Sequence, residues 1–253
     1  MTDLVYPPII ASARAAFMLW GLKFTIVGAE NVPTSGGAVI ASNHVSYLDF
    51  IFVGLGADKS KRLVRFMAKD SVFQNKVSGP LMRGMHHIPV DRSAGADAYE
   101  DALDALRDGE VIGVFPEATI SRAFLIKDLK NGAARLAQES NVPLIPMIVW
   151  GGQRMMSKGT PRSMKRGNHI YITVGEPMYP TAADDPNVVT AELRQRLEVL
   201  LEDTIDRYPI EPANDDDRWW LPRTHGGTAP TLAQAKKEDE AAAKKRREAR
   251  EKK

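Results

Sequence analysis

The sequence predicts an α/β domain built in layers, with helices packed over a sheet. Three observations carry this. Short apolar runs alternate with amphipathic stretches through the middle of the chain. The runs are bounded by glycine, proline or charge, as strands are. With 43% hydrophobic residues in 253 positions, the chain holds enough apolar mass for one sizeable core. Strands alternating with helices are the pattern of a layered α/β fold.

Taken in order, Pro7 and Pro8 are placed to open a helix, because proline is tolerated in a first helical turn. The run IIASARAAFMLWGL that follows predicts a helix over residues 9–22 that packs on the domain or lies in a membrane interface. It is interrupted by Arg14 and falls short of the roughly 20 apolar residues that span a bilayer. Strands are predicted over 24–27, 38–42, 64–68, 111–115, 144–149 and 170–174, each rich in Val, Ile, Leu or Met. Helices are predicted over 48–55, 97–107, 131–139 and 188–208, the last two with apolar residues at helical spacing. After Pro209 the composition turns polar and rich in Pro and Gly, around the pair Trp219–Trp220. From Thr231 onward nine basic and five acidic residues give a charged tail, read as a solvated helix or disorder. The expected organisation is thus an N-terminal amphipathic, membrane-interfacial helix (1–23), a catalytic domain (24–208), and a polar linker with a charged tail (209–253).

Composition excludes several classes of function. The chain has no cysteine, which removes disulfides, thiolate zinc sites and cysteine nucleophiles together. A net charge of +2 is too balanced for a nucleic-acid binder. No Gly-x-Ser-x-Gly elbow, Gly-x-Gly-x-x-Gly or phosphate-loop motif is present. The N-terminus lacks the basic region of a secretory signal. His86 and His87 are adjacent and would point to opposite faces of a strand, so they read as turn or edge residues rather than as metal ligands.

The most informative stretch is Ala41-Ser-Asn43-His44-Val-Ser46-Tyr-Leu-Asp49. It joins an apolar strand to an apolar helix, the kind of junction at which α/β folds place their chemistry. On a continuous helix, residues five apart are turned by about 140° and point away from each other. His44 and Asp49 meet only if the chain turns between them, with Ser46 as helix cap and Asn43 holding the turn. A neutral imidazole can then take the proton of an attacking alcohol. A neighbouring carboxylate would fix its tautomer and stabilise the imidazolium that forms.

Four blocks in fixed order make this sequence resemble the glycerolipid acyltransferases, the family that includes lysophosphatidic acid acyltransferases. They are Asn43-His44-x-x-x-x-Asp49, then Ile88-Pro-Val-Asp91-Arg92, then Phe115-Pro-Glu117-Ala118-Thr119-Ile120-Ser121, then Val142-Pro-Leu-Ile-Pro146. Leu129-Lys130-Asn-Gly132-Ala stands between the last two. The resemblance covers roughly residues 24–175 and implies a mixed central sheet flanked by helices. It implies catalysis by His44 and Asp49. It implies an acceptor site drawn from Asn43, Lys69, Arg92, Glu117, Ala118, Thr119, Ser121 and Lys130, with basic residues on the phosphate.

Two departures stand out in the third block, Ala118 for the usual glycine and Ile120 for the usual arginine. Alanine disfavours positive φ, so a reshaped loop is expected. Arg122 is expected to replace the lost phosphate contact.

The implied reaction moves a fatty acyl group from acyl-CoA or acyl carrier protein to the hydroxyl of lysophosphatidate. It needs no metal, no further cofactor and no covalent acyl-enzyme. Backbone amides at the helix start are expected to hold the oxyanion. The implied partners are the donor, the lysophospholipid acceptor and a membrane surface, with the protein peripheral or monotopic on the cytoplasmic face. Trp219–Trp220 and the first helix are the expected membrane contacts. The readings left open are a different acceptor (glycerol 3-phosphate, another lysophospholipid or a glycolipid) and a non-catalytic lipid binder.

Overall fold

The computed structural model describes residues 3–90, 95–163 and 165–251. Seven strands form one sheet: β1 (Lys23–Val27), β2 (Ala38–Ser42), β3 (Val64–Lys69), β4 (Ile88–Val90), β5 (Val111–Val114), β6 (Leu144–Trp150) and β7 (His169–Val174). Their order is β1-β7-β6-β2-β5-β3-β4. All neighbours are parallel except β6 and β7, so the sheet is mixed. Each of the six predicted strands is present, its ends within one residue of the prediction.

The helices are α1 (Tyr6–Leu19), α2 (Asp49–Gly56), α3 (Asp70–Phe73), α4 (Ser78–Gly84), α5 (Gly95–Arg107), α6 (Gly132–Glu139), α7 (Pro186–Asp206) and α8 (Leu232–Glu251). The central strands β2 and β6 are buried along their whole length. That is why they read as unbroken apolar runs, the mark of strands covered on both faces. Alternate residues serve the two faces. Val39, Ala41, Leu144, Ile148 and Trp150 pack with α5, α6 and α7. Ala38, Ile40, Ile145, Met147 and Val149 pack with Phe17 of α1 and with Phe52 and Val53 of α2. In α7, Val189, Leu193, Leu197, Leu201 and Ile205 recur every fourth residue and form its buried stripe.

Both ends of the chain pack on this domain. Tyr6 donates its hydroxyl to the Val64 carbonyl at 2.8 Å, and Phe17 lies 5.4 Å from Phe24, ring centre to ring centre. Met18 and Leu19 remain exposed on α1. The expected boundary after residue 208 is not a domain boundary. Trp220, Leu221, Ala229 and Ala235 are buried, the first three in the same core as α7. Trp220 packs edge-on against Tyr208 and lies under the Arg154 guanidinium, 4.6 Å from its ring centre. Its indole therefore fills core space and is unavailable to a headgroup region; Trp219 packs against the same cluster. The tail is a helix whose first turns are docked, because Ala235 is buried on its inner side.

Candidate active site

The site is built where β2 ends and α2 begins. Asn43 leaves the strand buried, accepts from the Val149 amide at 2.8 Å and donates to the Val149 carbonyl at 3.0 Å. It extends the pairing of β2 with β6 by one side chain and offers nothing to a substrate, contrary to its expected place in the acceptor site. The chain then turns, as the five-residue spacing required. Asp49, fully buried in the first turn of α2, reaches back over it. Its Oδ2 accepts from the amides of Val45 and Ser46, both at 2.7 Å, and from His44 Nδ1 at 3.0 Å. The proton of a neutral His44 therefore sits on Nδ1, and Nε2 carries the free lone pair. Burial pushes the Asp49 carboxyl up from its ordinary range, and the imidazole and the two amides pull against that.

Two other segments grip the same turn. The His44 amide donates to Glu117 Oε1 at 2.9 Å, and the His44 carbonyl accepts from the Ser121 amide at 2.7 Å. The Ser46 hydroxyl and the Tyr47 amide both donate to the Met156 carbonyl, at 2.7 Å and 3.1 Å. The Ser157 hydroxyl donates to the Val45 carbonyl at 2.6 Å. Ser46 does not cap α2; its hydroxyl accepts from the Leu48 amide at 3.1 Å, inside the turn. The amides of residues 45–49 all have partners within the protein. These five amides are therefore committed and are not free to hold an oxyanion.

The His44 ring stacks on Phe115, 4.3 Å centre to centre and 20° from parallel. Beyond it opens a cavity of about 610 Å³ lined by Phe50, Phe66, Met67, Val72, Val90, Val114 and Leu136 among other residues. Tyr47 and Phe50 stand exposed at the same cavity. Lys69 and Lys130 supply its two ammonium groups, and no carboxylate lines it among the described residues. An apolar wall with a few polar groups at one end suits an amphiphile with an anionic head. His87 also lines this cavity. It is buried, and its Nδ1 accepts from the Phe66 amide at 3.0 Å. Burial, helped by the charges of Arg65 and His86, lowers its pKa to about 4. It is thus a core group held neutral. Only His86, at φ +55°, is the turn residue expected.

The third block divides. Ala118 takes φ +60°, the conformation glycine adopts freely, so the loop keeps a left-handed turn despite its Cβ. That is the opposite of the reshaping expected. Thr119 is exposed and accepts from Lys127 Nζ at both its carbonyl (2.7 Å) and its hydroxyl (2.5 Å). Ser121 is buried and donates its hydroxyl to the Leu125 carbonyl at 2.7 Å. Arg122 does not line the cavity. Its guanidinium is held by Asp239 and Glu238 of α8, so the expected phosphate contact is not formed. Asp91 and Arg92 lie outside the described residues. Phe115 opens the third block, but its stacking on His44 was not foreseen; Ser157 and Met156 escaped sequence reasoning, because they act from more than 100 residues away and carry no local motif.

Glu117 is likewise a holding group. Its two oxygens accept from the amides of His44 and Lys127, at 2.9 Å and 3.3 Å. Burial raises its pKa to about 7, against the pull of those amides and of the Lys127 charge. Between its ordinary 4.5 and about 7 the folded state keeps a proton that the unfolded state has lost. Stability from this group is therefore complete below 4.5 and falls as pH rises to 7. Urea denaturation of wild type and Glu117→Gln across this range should diverge by an amount on the order of 3 kcal/mol at most, with the flatter curve in the variant. Parallel curves would place the proton elsewhere.

Comparison with known proteins agrees with this geometry. The family model described as Acyltransferase matches residues 23–150, half of the chain. The chain is 31% identical over 192 residues to a 1-acyl-sn-glycerol-3-phosphate acyltransferase of Bacillus subtilis, covering 72% of this chain and 89% of that one. It is 29% identical to the chloroplastic 1-acyl-sn-glycerol-3-phosphate acyltransferase LPAT1 of Arabidopsis thaliana, covering 69% of this chain and 48% of the relative. Its fold matches the crystal structure of the 1-acyl-sn-glycerophosphate (LPA) acyltransferase PlsC of Thermotoga maritima with a TM-score of 0.67, at 19% identity and 81% coverage of each chain. No helix among the described residues is long and apolar enough to cross a membrane. With the His44–Asp49 dyad at the head of an apolar cavity and the matched region spanning it, the chain belongs to the acyltransferase family.

Proposed function

We propose that this protein transfers a fatty acyl group from a thioester, acyl-CoA or acyl carrier protein, to the hydroxyl of lysophosphatidate, and so makes phosphatidate for phospholipid synthesis. One observation carries the reading. The His44–Asp49 pair opens onto an apolar cavity lined also by the cationic side chains of Lys69 and Lys130. His44 Nε2 takes the proton of the acceptor hydroxyl as its oxygen attacks the thioester carbonyl. The new C–O bond forms and a tetrahedral oxyanion results. Its collapse breaks the C–S bond, and the imidazolium returns its proton to the departing thiolate. Asp49 keeps the charged ring oriented meanwhile. The apolar wall accommodates an alkyl chain, and the ammonium groups suit the acceptor phosphate. The names of the relatives support the same acceptor.

Both substrates are amphiphiles, so the reaction belongs at a bilayer surface, at its cytoplasmic face. Exposed Met18 and Leu19 on α1, with Tyr47 and Phe50 beside the cavity, suit peripheral contact.

Thiol release from palmitoyl and oleoyl donors, on CoA and on carrier protein, tests the reading across acceptors. Lysophosphatidate should be preferred over an acceptor without phosphate. The Lys69→Ala/Lys130→Ala double variant should raise KM for lysophosphatidate about tenfold with kcat little changed, a loss of binding common to ground and transition states. An unchanged KM would move the phosphate off these lysines. Turnover confined to uncharged acceptors would defeat the assignment of lysophosphatidate.

A further inference from the structure

α8 lies wholly outside the region that the family model matches, yet one of its carboxylates is joined to the active-site turn by two short paths. Asp239 Oδ1 accepts from Arg122 Nε at 2.9 Å and from Lys158 Nζ at 2.7 Å. Glu238 adds a looser contact to Arg122 Nη1 at 3.6 Å, and that nitrogen also donates to the Lys158 carbonyl at 3.4 Å. Each cation is the chain neighbour of a residue that holds the catalytic turn. Ser121, before Arg122, donates its amide to the His44 carbonyl at 2.7 Å. Ser157, before Lys158, donates its hydroxyl to the Val45 carbonyl at 2.6 Å. Met156, one residue further back, receives the Ser46 hydroxyl and the Tyr47 amide.

We propose that Asp239 is a positioning residue for the acyl transfer: it ties the loop carrying Ser121 to the loop carrying Ser157, and the two together fix His44. This deepens the reading of the site as an acyltransferase centre and rests on it. The physical case is electrostatic and steric. The side chains of Arg122 and Lys158 are only 19% and 16% exposed and share one carboxylate oxygen. Without that anion, two partly desolvated cations would face each other, and like charges at such range repel. The loops also abut: a Cβ at Gly159, which sits at φ +82°, would fall 1.9 Å from Arg122 Nη1. α8 itself is seated by buried Ala235, so Asp239 projects from an anchored turn. A small shift of a proton acceptor costs rate out of proportion to its size.

Asp239→Asn keeps the shape and removes the charge. In the full-length protein it should lower kcat with lysophosphatidate and oleoyl-CoA about tenfold, with both KM values within about twofold of wild type. Asp239→Glu should recover most of the loss. Arg122→Gln should lower kcat similarly, and the Arg122→Gln/Asp239→Asn pair should be no worse than either alone, as expected for one shared link. A second measurement needs no turnover. Peptide-resolved hydrogen exchange should quicken at the amides of residues 45–47 in Asp239→Asn and stay unchanged in β2 and β6. Wild-type kcat and wild-type exchange in a folded Asp239→Asn would overturn the proposal. So would faster turnover, which would make α8 a restraint rather than a support. If wild type itself transfers to no acceptor, the reading of the activity fails, and the exchange arm alone still decides whether α8 holds the turn.

Discussion

His44→Ala is expected to lower kcat by about 10³-fold at pH 8, with the protein still folded, because it removes the group proposed to take the acceptor proton. The ring touches Asp49 and Phe115 and is partly open to the cavity, so its loss trims the cavity wall without cutting the core. Asp49 would keep the Val45 and Ser46 amides on Oδ2, which preserves the turn. KM for either substrate should change little, since the imidazole acts on the hydroxyl mainly in the transition state. Thiol release with lysophosphatidate, paired with a thermal melt, measures both halves. Residual turnover within about tenfold of wild type would be too fast for a site that has lost its base, and would assign the proton transfer to another group.

The fold was legible because its signals are local. β2 and β6 are apolar at every or nearly every position, and the alternation of short strands with amphipathic helices survives in any reading of the chain. β4 has only three residues, and α3 and α4 are four and seven long, too short for periodicity to register. The dyad was legible for a different reason. Five-residue spacing excludes a continuous helix, so a turn was required, and Asp49 bonding back to residues 44–46 is that turn.

What the sequence hid is pairing at long range. The partners of Arg122 lie 116 and 117 positions away on α8, where a run of alanine and charge reads as a solvated helix. Trp220 looked like an interfacial aromatic because tryptophan favours the headgroup region, whereas the space between Tyr208 and Arg154 that receives it exists only in the fold. Glu117 matched a substrate-binding position by motif alone, and its geometry spends both oxygens on backbone amides.

Asp49→Asn should separate activity from stability more sharply than any other substitution in the site. The asparagine carbonyl can take the place of Oδ2 and accept from the Val45 and Ser46 amides and from His44 Nδ1, so both the turn and the tautomer survive. Its NH2 group then takes the place of Oδ1, which has no hydrogen-bond partner among the described residues. What is lost is the negative charge beside the imidazolium that forms as the hydroxyl proton is taken. A fall in kcat of about 10²-fold is expected from that loss. Stability should move the other way. Burial raises the Asp49 pKa, so the ionised carboxylate weakens the fold as pH climbs above its ordinary 3.8. A neutral amide escapes that cost, and the variant should melt no lower than wild type at pH 8. Asp49→Ala supplies the contrast. It strands two buried amides and should lose roughly 1–3 kcal/mol for each of them. Thermal melts and thiol release on the three proteins at pH 8 therefore distinguish two roles for one carboxylate. If Asp49→Asn keeps wild-type turnover, Asp49 only folds the turn. If it loses turnover while holding its melting temperature, the negative charge of the carboxylate supports the proton transfer at His44, and the fold tolerates a buried charge in order to do so.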